Sequence, residues 1–464
     1  MNNRLWYLCC LLVVALLPSP GCSQPVEEIS ADPGRVEQLP EAVFAPDDWP
    51  WWRGPTHDGV AAGSSVPVKF DETKNVLWSS PVPGRGHSSP TVVGERIFLA
   101  TADEKKQIQS VLAYDRESGK QLWQTDIHQQ GFPPARGMHR ESSHASCTVA
   151  CDGERLYVAF LNSGAIWATA LDLDGEQVWQ QNLGPFSPEF GYAPSPVIYG
   201  ALVIVAGDNP GSGFLAAVHR KTGKIVWRVQ RTSESSYSSP VVFHVAGRDQ
   251  LLISGCHRVF SYDPNTGEEL WSVKGTASGT CGTMIAGEDV VYASGGWPEH
   301  ETLCVRADGS KEVLWRTEQK AYVPSMLLHQ QHLYLVDGET GIGFCLEAAT
   351  GTQKWKTRFG GKVRSSPVLS DEHIFLPNAA GKCFVFKANT EAFELVAENV
   401  FGESEEAEIY ATPVICGGRM YLRVASRVDG TRQETLYCIG TGGDDEPSTS
   451  ADSARTQPYS GEVR

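Results

Sequence analysis

Apolar and polar positions in this chain alternate over short, strand-length runs, and no long stretch carries a helical stripe. The clearest unit is an apolar strand that usually ends on a carboxylate, a turn containing glycine, and a second strand that ends in tryptophan. It runs from Ala113 to Trp123, Ala170 to Trp179, Ala217 to Trp227, Ser261 to Trp271, more loosely Val305 to Trp315, and Cys345 to Trp355. The glycine supplies a left-handed residue between two strands, so each copy predicts a β-hairpin. A second unit recurs between the first: a Ser-Ser-Pro-like start, an apolar strand, a turn and another strand. It is clear at Ser88-Ser89-Pro90, Pro194-Ser195-Pro196, Ser238-Ser239-Pro240 and Ser365-Ser366-Pro367, and weaker near Ala145, Cys281, Val323 and Ala411.

Including Trp78, the tryptophans stand 45, 56, 48, 44, 44 and 40 residues apart. A period of 40 to 50 residues with four short strands per unit predicts propeller blades. Eight starts predict an all-β, eight-bladed β-propeller of four-stranded antiparallel blades over residues 49–440. The last unit has three strands and no tryptophan, while Trp78 has no unit before it, so the N-terminal strand is expected to complete the last blade and close the ring. The seventh unit is degenerate, with Phe393 and Leu395 where Gly and Trp belong, which keeps a seven-blade count open.

The ends read differently from the body. Arg4, the apolar run Leu5 to Leu17 and then Pro18 to Cys22 form an export signal over residues 1–21, too short to span a bilayer comfortably. It resembles a bacterial lipoprotein signal, which makes Cys22 the expected lipidation site. Ser19 stands where an aliphatic residue is usual, so cleavage without lipid remains the alternative. Residues 22–48 are expected to be a flexible tether and 441–464 a disordered tail. The expected location is the bacterial envelope, as a membrane-anchored lipoprotein facing the periplasm or otherwise as a periplasmic protein.

The formal charge of -16 and the absence of basic runs exclude nucleic acid as a partner. Of twelve cysteines, Cys9 and Cys10 lie in the signal and Cys22 at its end, which leaves nine. An odd number cannot all pair. Cys304, Cys345, Cys383 and Cys438 sit in apolar runs, which favours buried free thiols over a disulfide set. His139, His144, Cys147 and Cys151 match no common zinc spacing, and no metal is expected. No hydrolase or phosphate-binding motif occurs.

At this point the chain resembles the quinoprotein-like (PQQ-like repeat) β-propeller family, whose docking segment reads Ala-x-Asp-x-x-Thr-Gly-x-x-x-Trp. The first, fourth and sixth hairpins follow it closely, and the resemblance covers residues 75–440. Asp48-Trp49-Pro50-Trp51-Trp52-Arg53-Gly54-Pro55 with Asp58-Gly59 is also similar to a lead-in of many bacterial members. The resemblance implies that Trp78, Trp123, Trp179, Trp227, Trp271, Trp315 and Trp355 are structural, each indole contacting the backbone of the next repeat. Trp49, Trp51 and Trp52 are expected to cover an apolar face of the ring.

The family divides into quinone-dependent dehydrogenases and non-enzymatic outer-membrane assembly lipoproteins of the BamB branch, and fold does not choose between them. The dehydrogenases carry a quinone pocket, a calcium site, an aspartate base and a disulfide between adjacent cysteines. The one adjacent cysteine pair here is in the signal. A non-catalytic binding scaffold with no cofactor is therefore expected, and an oxidoreductase using pyrroloquinoline quinone (PQQ) and calcium is the alternative.

Aligning the eight Ser-Ser-Pro-like starts places His87, His144, Ala193, Tyr237, Thr280, Tyr322, Arg364 and Tyr410 at the channel mouth. His87, His144, Tyr237, Tyr322, Arg364 and Tyr410 are the binding candidates, for an extended peptide or a planar anion. Tyr237, Tyr322 and Tyr410 also suit a carbohydrate, and such a ring arises too where solvated side chains merely fill a funnel. The interval Trp123 to Trp179 holds about a dozen extra residues over the same face, where function tends to accumulate. A monomer is expected, with a protein or peptide partner.

Overall fold

The structure, a computed structural model, describes residues 26–31, 38–61, 63–402 and 407–442; the signal, Cys22 and residues 443–464 lie outside the described residues. Eight four-stranded antiparallel units span 91–129, 150–185, 197–230, 241–274, 285–317, 327–358, 368–400 and 414–439, the last completed by Val76–Val82. They form the blades of a propeller, numbered 1 to 8 in that order. Blade 1 shows the plan: Thr91–Val93 lies nearest the axis, followed outward by Arg96–Asp103, Ile108–Asp115 and Gln121–Gln129. The two middle strands are buried on both faces because each blade is covered by two neighbours, so they read as continuous apolar runs such as Ile97 to Ala102.

Closure follows the sequence expectation. Val76–Val82 pairs antiparallel with Thr431–Ile439, placing Trp78 opposite Cys438. The seventh unit is a full blade, which removes the seven-blade alternative. Val60–Ala61 joins it as a fifth strand, parallel to the innermost one. Its Phe393 ring packs with centroids 5.5 Å from Trp355 and 5.6 Å from Phe359 of the preceding blade.

Six of the seven repeat tryptophans dock as the resemblance implies. Trp78, Trp123, Trp179, Trp227, Trp315 and Trp355 donate their indole N–H to the carbonyls of Arg116, Leu173, Arg220, Pro264, Ala348 and Asn389, each in the outer hairpin of the following blade. The turn glycine under the indole is required twice over. At Gly223, φ is +70° and an added Cβ would lie 2.7 Å from the Trp179 ring.

Trp271 is the exception. Its N–H goes to Gln250 Oε1 in its own blade, and the Gln250 amide then donates to Ala307 O of blade 5. Gly309, in the blade 5 turn, accordingly has nothing within 4 Å of its Cβ direction.

The nine described cysteines are free, eight of them buried and Cys281 partly so. The tether expectation needs correction where 22–48 is described. Ile29 pairs antiparallel with Arg228 on the outer strand of blade 3, Val26 is buried, and the Pro40 carbonyl accepts from Arg220. These segments are laid against the propeller because an exposed strand edge offers unpaired backbone groups to any extended chain.

Candidate functional site: a floored cup on the propeller axis

The site begins with a belt of hydroxyls. Where each innermost strand begins, a backbone N–H has no partner within its own blade and is satisfied by a neighbour. Ser89 N donates to Thr148 Oγ1 at 3.2 Å, Thr148 N to Ser195 Oγ at 3.0 Å, and Ser195 N to Ser239 Oγ at 2.9 Å. On the far side Thr283 N reaches Ser325 Oγ, Ser325 N reaches Ser366 Oγ, Ser366 N reaches Thr412 Oγ1, and Thr412 N returns to Ser89 Oγ, all at 2.9 or 3.0 Å. Between blades 4 and 5 the described residues form no such link; Thr283 Oγ1 instead accepts from Trp52 Nε1 at 2.8 Å.

That indole belongs to the floor. Residues 47–61 run across the ring, bonding Trp49 to Val92 of blade 1, Pro50 O to Cys151 N of blade 2, and Val60–Ala61 to blade 7. Arg53 is buried beneath the axis and donates to the carbonyls of Asp58, Met326 and Pro367. Burial lowers its guanidinium to about 10, still cationic at neutral pH. This gives the Trp-Trp-Arg-Gly lead-in its physical role: it closes one end of the channel, with Trp52 lining the cavity above it.

Above the floor a cavity of about 470 Å³ opens to the opposite face. Its rim lies two residues before each belt hydroxyl: His87, Ser146, Ala193, Tyr237, Cys281, Val323, Arg364 and Tyr410. The sequence alignment is therefore corrected in three blades. Ser146 holds the position assigned to His144, Cys281 that of Thr280, and Val323 that of Tyr322. His144 is turned aside and stacks on Phe132 at 4.0 Å, whereas Tyr322 still lines the cavity as the neighbour of Val323. The shared signal is a Ser or Thr two residues on, which Ser-Cys-Thr, Cys-Gly-Thr and Val-Pro-Ser keep although they lack Ser-Ser-Pro.

The rim is aromatic with one charged corner. The His87 and Tyr410 rings meet edge to face at 4.7 Å. Burial, with the charge of Arg85, holds His87 well below the usual imidazole range, so it is neutral at pH 7. Its Nε2 and the Tyr237 hydroxyl are buried without a hydrogen-bond partner. Burial raises the Tyr322 phenol to about 12.

No repeat position predicts the corner. Glu141, from the extra loop of blade 2, crosses the mouth to blade 7, accepting from Lys362 Nζ at 2.9 Å and Arg364 Nε at 3.0 Å. Arg364 also bonds Glu339 at 2.6 Å. Burial would raise the Glu141 carboxyl, but the two cations outweigh it and hold it at about 2.

The charged and thiol groups of the cup are each held in one protonation state. Both carboxylates of the corner are engaged by cations, so neither is free to remove a substrate proton. Burial lifts the Cys281 thiol to about 12, which leaves almost no thiolate. Among the described residues no three His, Cys, Asp or Glu side chains are grouped to hold a metal ion.

Comparison with known proteins follows the same division. The family described as outer membrane protein assembly factor BamB matches residues 60–129 and 107–343. The Yersinia pestis protein of that name is 24% identical over 385 residues, covering 78% of this chain and 88% of its own. The crystal structure of BamB from Moraxella catarrhalis superposes with a TM-score of 0.55 at 13% identity, covering 78% of this chain and 99% of that one. A europium-containing methanol dehydrogenase gives 0.65 at 11% identity, over 86% of this chain and 98% of that one. Likeness at such identity shows the propeller fold alone.

Proposed function

This chain belongs to the BamB family of PQQ-like-repeat propellers, and from that premise we propose that it is a non-catalytic binding scaffold of the bacterial cell envelope. In this reading it is exported, anchored through a lipid on Cys22, and takes a protein or peptide partner at the cup. The observation that carries it is the pairing inside the cup. Its charges are neutralised by one another while His87 Nε2 and Tyr237 OH stand buried and unpaired on aromatic walls. Such walls take an apolar side chain, and the two orphaned groups offer hydrogen bonds to a peptide backbone. Relatives named as assembly factors support a protein partner.

A quinone cofactor with calcium fits these residues poorly. Calcium needs several unengaged carboxylate or amide oxygens, and both carboxylates of the charged corner are committed to cations.

The test is a titration of the whole protein with peptides selected from a random library. Tyr237→Phe is expected to weaken binding about fivefold, the equivalent of one lost hydrogen bond of about 1 kcal/mol, without lowering Tm, since the hydroxyl has no internal partner to lose. Unchanged affinity in Tyr237→Phe, or tight stoichiometric uptake of PQQ with calcium, would overturn the proposal.

A further inference from the structure

The docked N-terminal segment fixes which way the propeller faces. Ile29 and Arg228 exchange backbone hydrogen bonds at 2.9 and 2.8 Å, and Val26 N donates to Ser212 Oγ at 3.0 Å. Ser212 lies between the second and third strands of blade 3, Leu202–Gly207 and Phe214–His219. Strands alternate in direction, so that turn is on the cup-mouth side. The chain therefore becomes fixed at the mouth-side edge of blade 3, descends its outer strand, and crosses the floor side at Pro40 and Trp49.

We infer that the mouth face is the membrane-facing surface, with a phospholipid bilayer as its partner. The inference rests on the lipid anchor proposed for Cys22. Four residue steps separate Cys22 from Val26, and an extended chain spans at most about 3.5 Å per step, so the acyl group is tied within about 14 Å of the mouth-side edge. An undocked chain from Cys22 to Trp49 would reach about 95 Å and impose no orientation.

Exposed aromatic rings support the same face independently. Among the described residues the large exposed aromatics are Phe190, 45% exposed, and Trp297, 62% exposed. Both border the cup, Phe190 on the connection from blade 2 to blade 3 and Trp297 on the mouth-side turn of blade 5. Aromatic rings with one wet and one apolar side favour the headgroup region of a bilayer. The exposed aliphatic side chains show no such preference: Val43 lies on the floor side, Leu77, Leu122, Val178, Leu314 and Leu395 stand at the floor-side starts of outer strands, and Val400 and Val428 at mouth-side strand ends.

The experiment reconstitutes the full acylated protein in phosphatidylcholine vesicles, with a photo-reactive benzoylphenylalanine replacing Phe190, Trp297 or Val43 in turn. Lipid adducts are expected from positions 190 and 297 at about tenfold the yield from 43, since rings that enter the interface meet acyl chains and a floor residue does not. Mass spectrometry of the N-terminal peptide from the same sample reads the anchor. An acylated Cys22 with equal or reversed labelling overturns this inference alone, whereas a missing acyl group overturns the anchor and the inference with it. Ile29→Pro removes the N–H given to Arg228, lengthens the leash, and is expected to cut the adducts at 297 at least in half while the fold persists; an unchanged yield also overturns the inference.

Discussion

Between blades 2 and 3, Trp179 donates to the Arg220 carbonyl over Gly223, and Thr148 N reaches the Ser195 hydroxyl. Between blades 4 and 5 both bonds are absent among the described residues. Trp271 turns to Gln250, and Thr283 accepts from the floor residue Trp52. A repeat protein is held by the sum of its neighbour interfaces, so a bond omitted at one seam must be replaced or its groups stay unsatisfied. Here Gln250 carries the connection outside and Tyr237 N to Thr280 O carries it inside. The seam released from the common pattern gives its free hydroxyl to the floor, which also bonds blades 1, 2, 6 and 7.

The comparison breaks most readily at the turn glycines. Gly223→Ala is expected to cost about 3 kcal/mol, combining left-handed strain with a Cβ driven into Trp179. Gly309→Ala, which bears the strain but meets open space, is expected to cost about 1 kcal/mol. Urea unfolding of both variants gives the difference; equal losses would mean that the two seams are built alike.

A middle-sized effect is expected at Gln250→Leu. The change strands the Trp271 N–H, the Ser261 hydroxyl and the Ala307 carbonyl, for about 2 kcal/mol in the same assay. A neutral result would show that the seam does not depend on this relay.

The smallest effect separates the seams from the mouth. Glu141 is held at about 2, below its unfolded value of 4.5, so its contribution is complete above about pH 5 and is lost as pH falls toward 2. Wild type and Glu141→Gln should differ by less than about 1 kcal/mol at pH 7, because water reaches the mouth. Their melting temperatures should converge near pH 2, and a gap that persists there would exclude this carboxylate as its source.

Much of the ring could be read directly from the chain. Tryptophan spacing reports blade period because five of the seven indoles pack on a glycine turn one blade onward, and unpaired Trp78 announces closure because an incomplete sheet must find its fourth strand. Trp271 misled for the same reason: its local sequence is normal, and only its partner differs. The cup was half legible. His87, Tyr237, Arg364 and Tyr410 precede a Ser or Thr by two residues within recognisable starts, whereas a proline pattern points to His144 although the hydroxyl sets the register. Glu141 left no signal, since a charge in an irregular loop has no period and its partners are more than two hundred residues away.

The strand Val76–Val82 has a consequence for timing. It is among the first parts of the propeller to be synthesised, yet its partner Thr431–Ile439 is the last. During elongation the growing wheel therefore carries an unmatched ribbon at one end and bare sheet at the other, both able to join the wrong chain. Final latching must draw together the most distant segments of the propeller, a slow search whose success makes the whole ring cooperative at once.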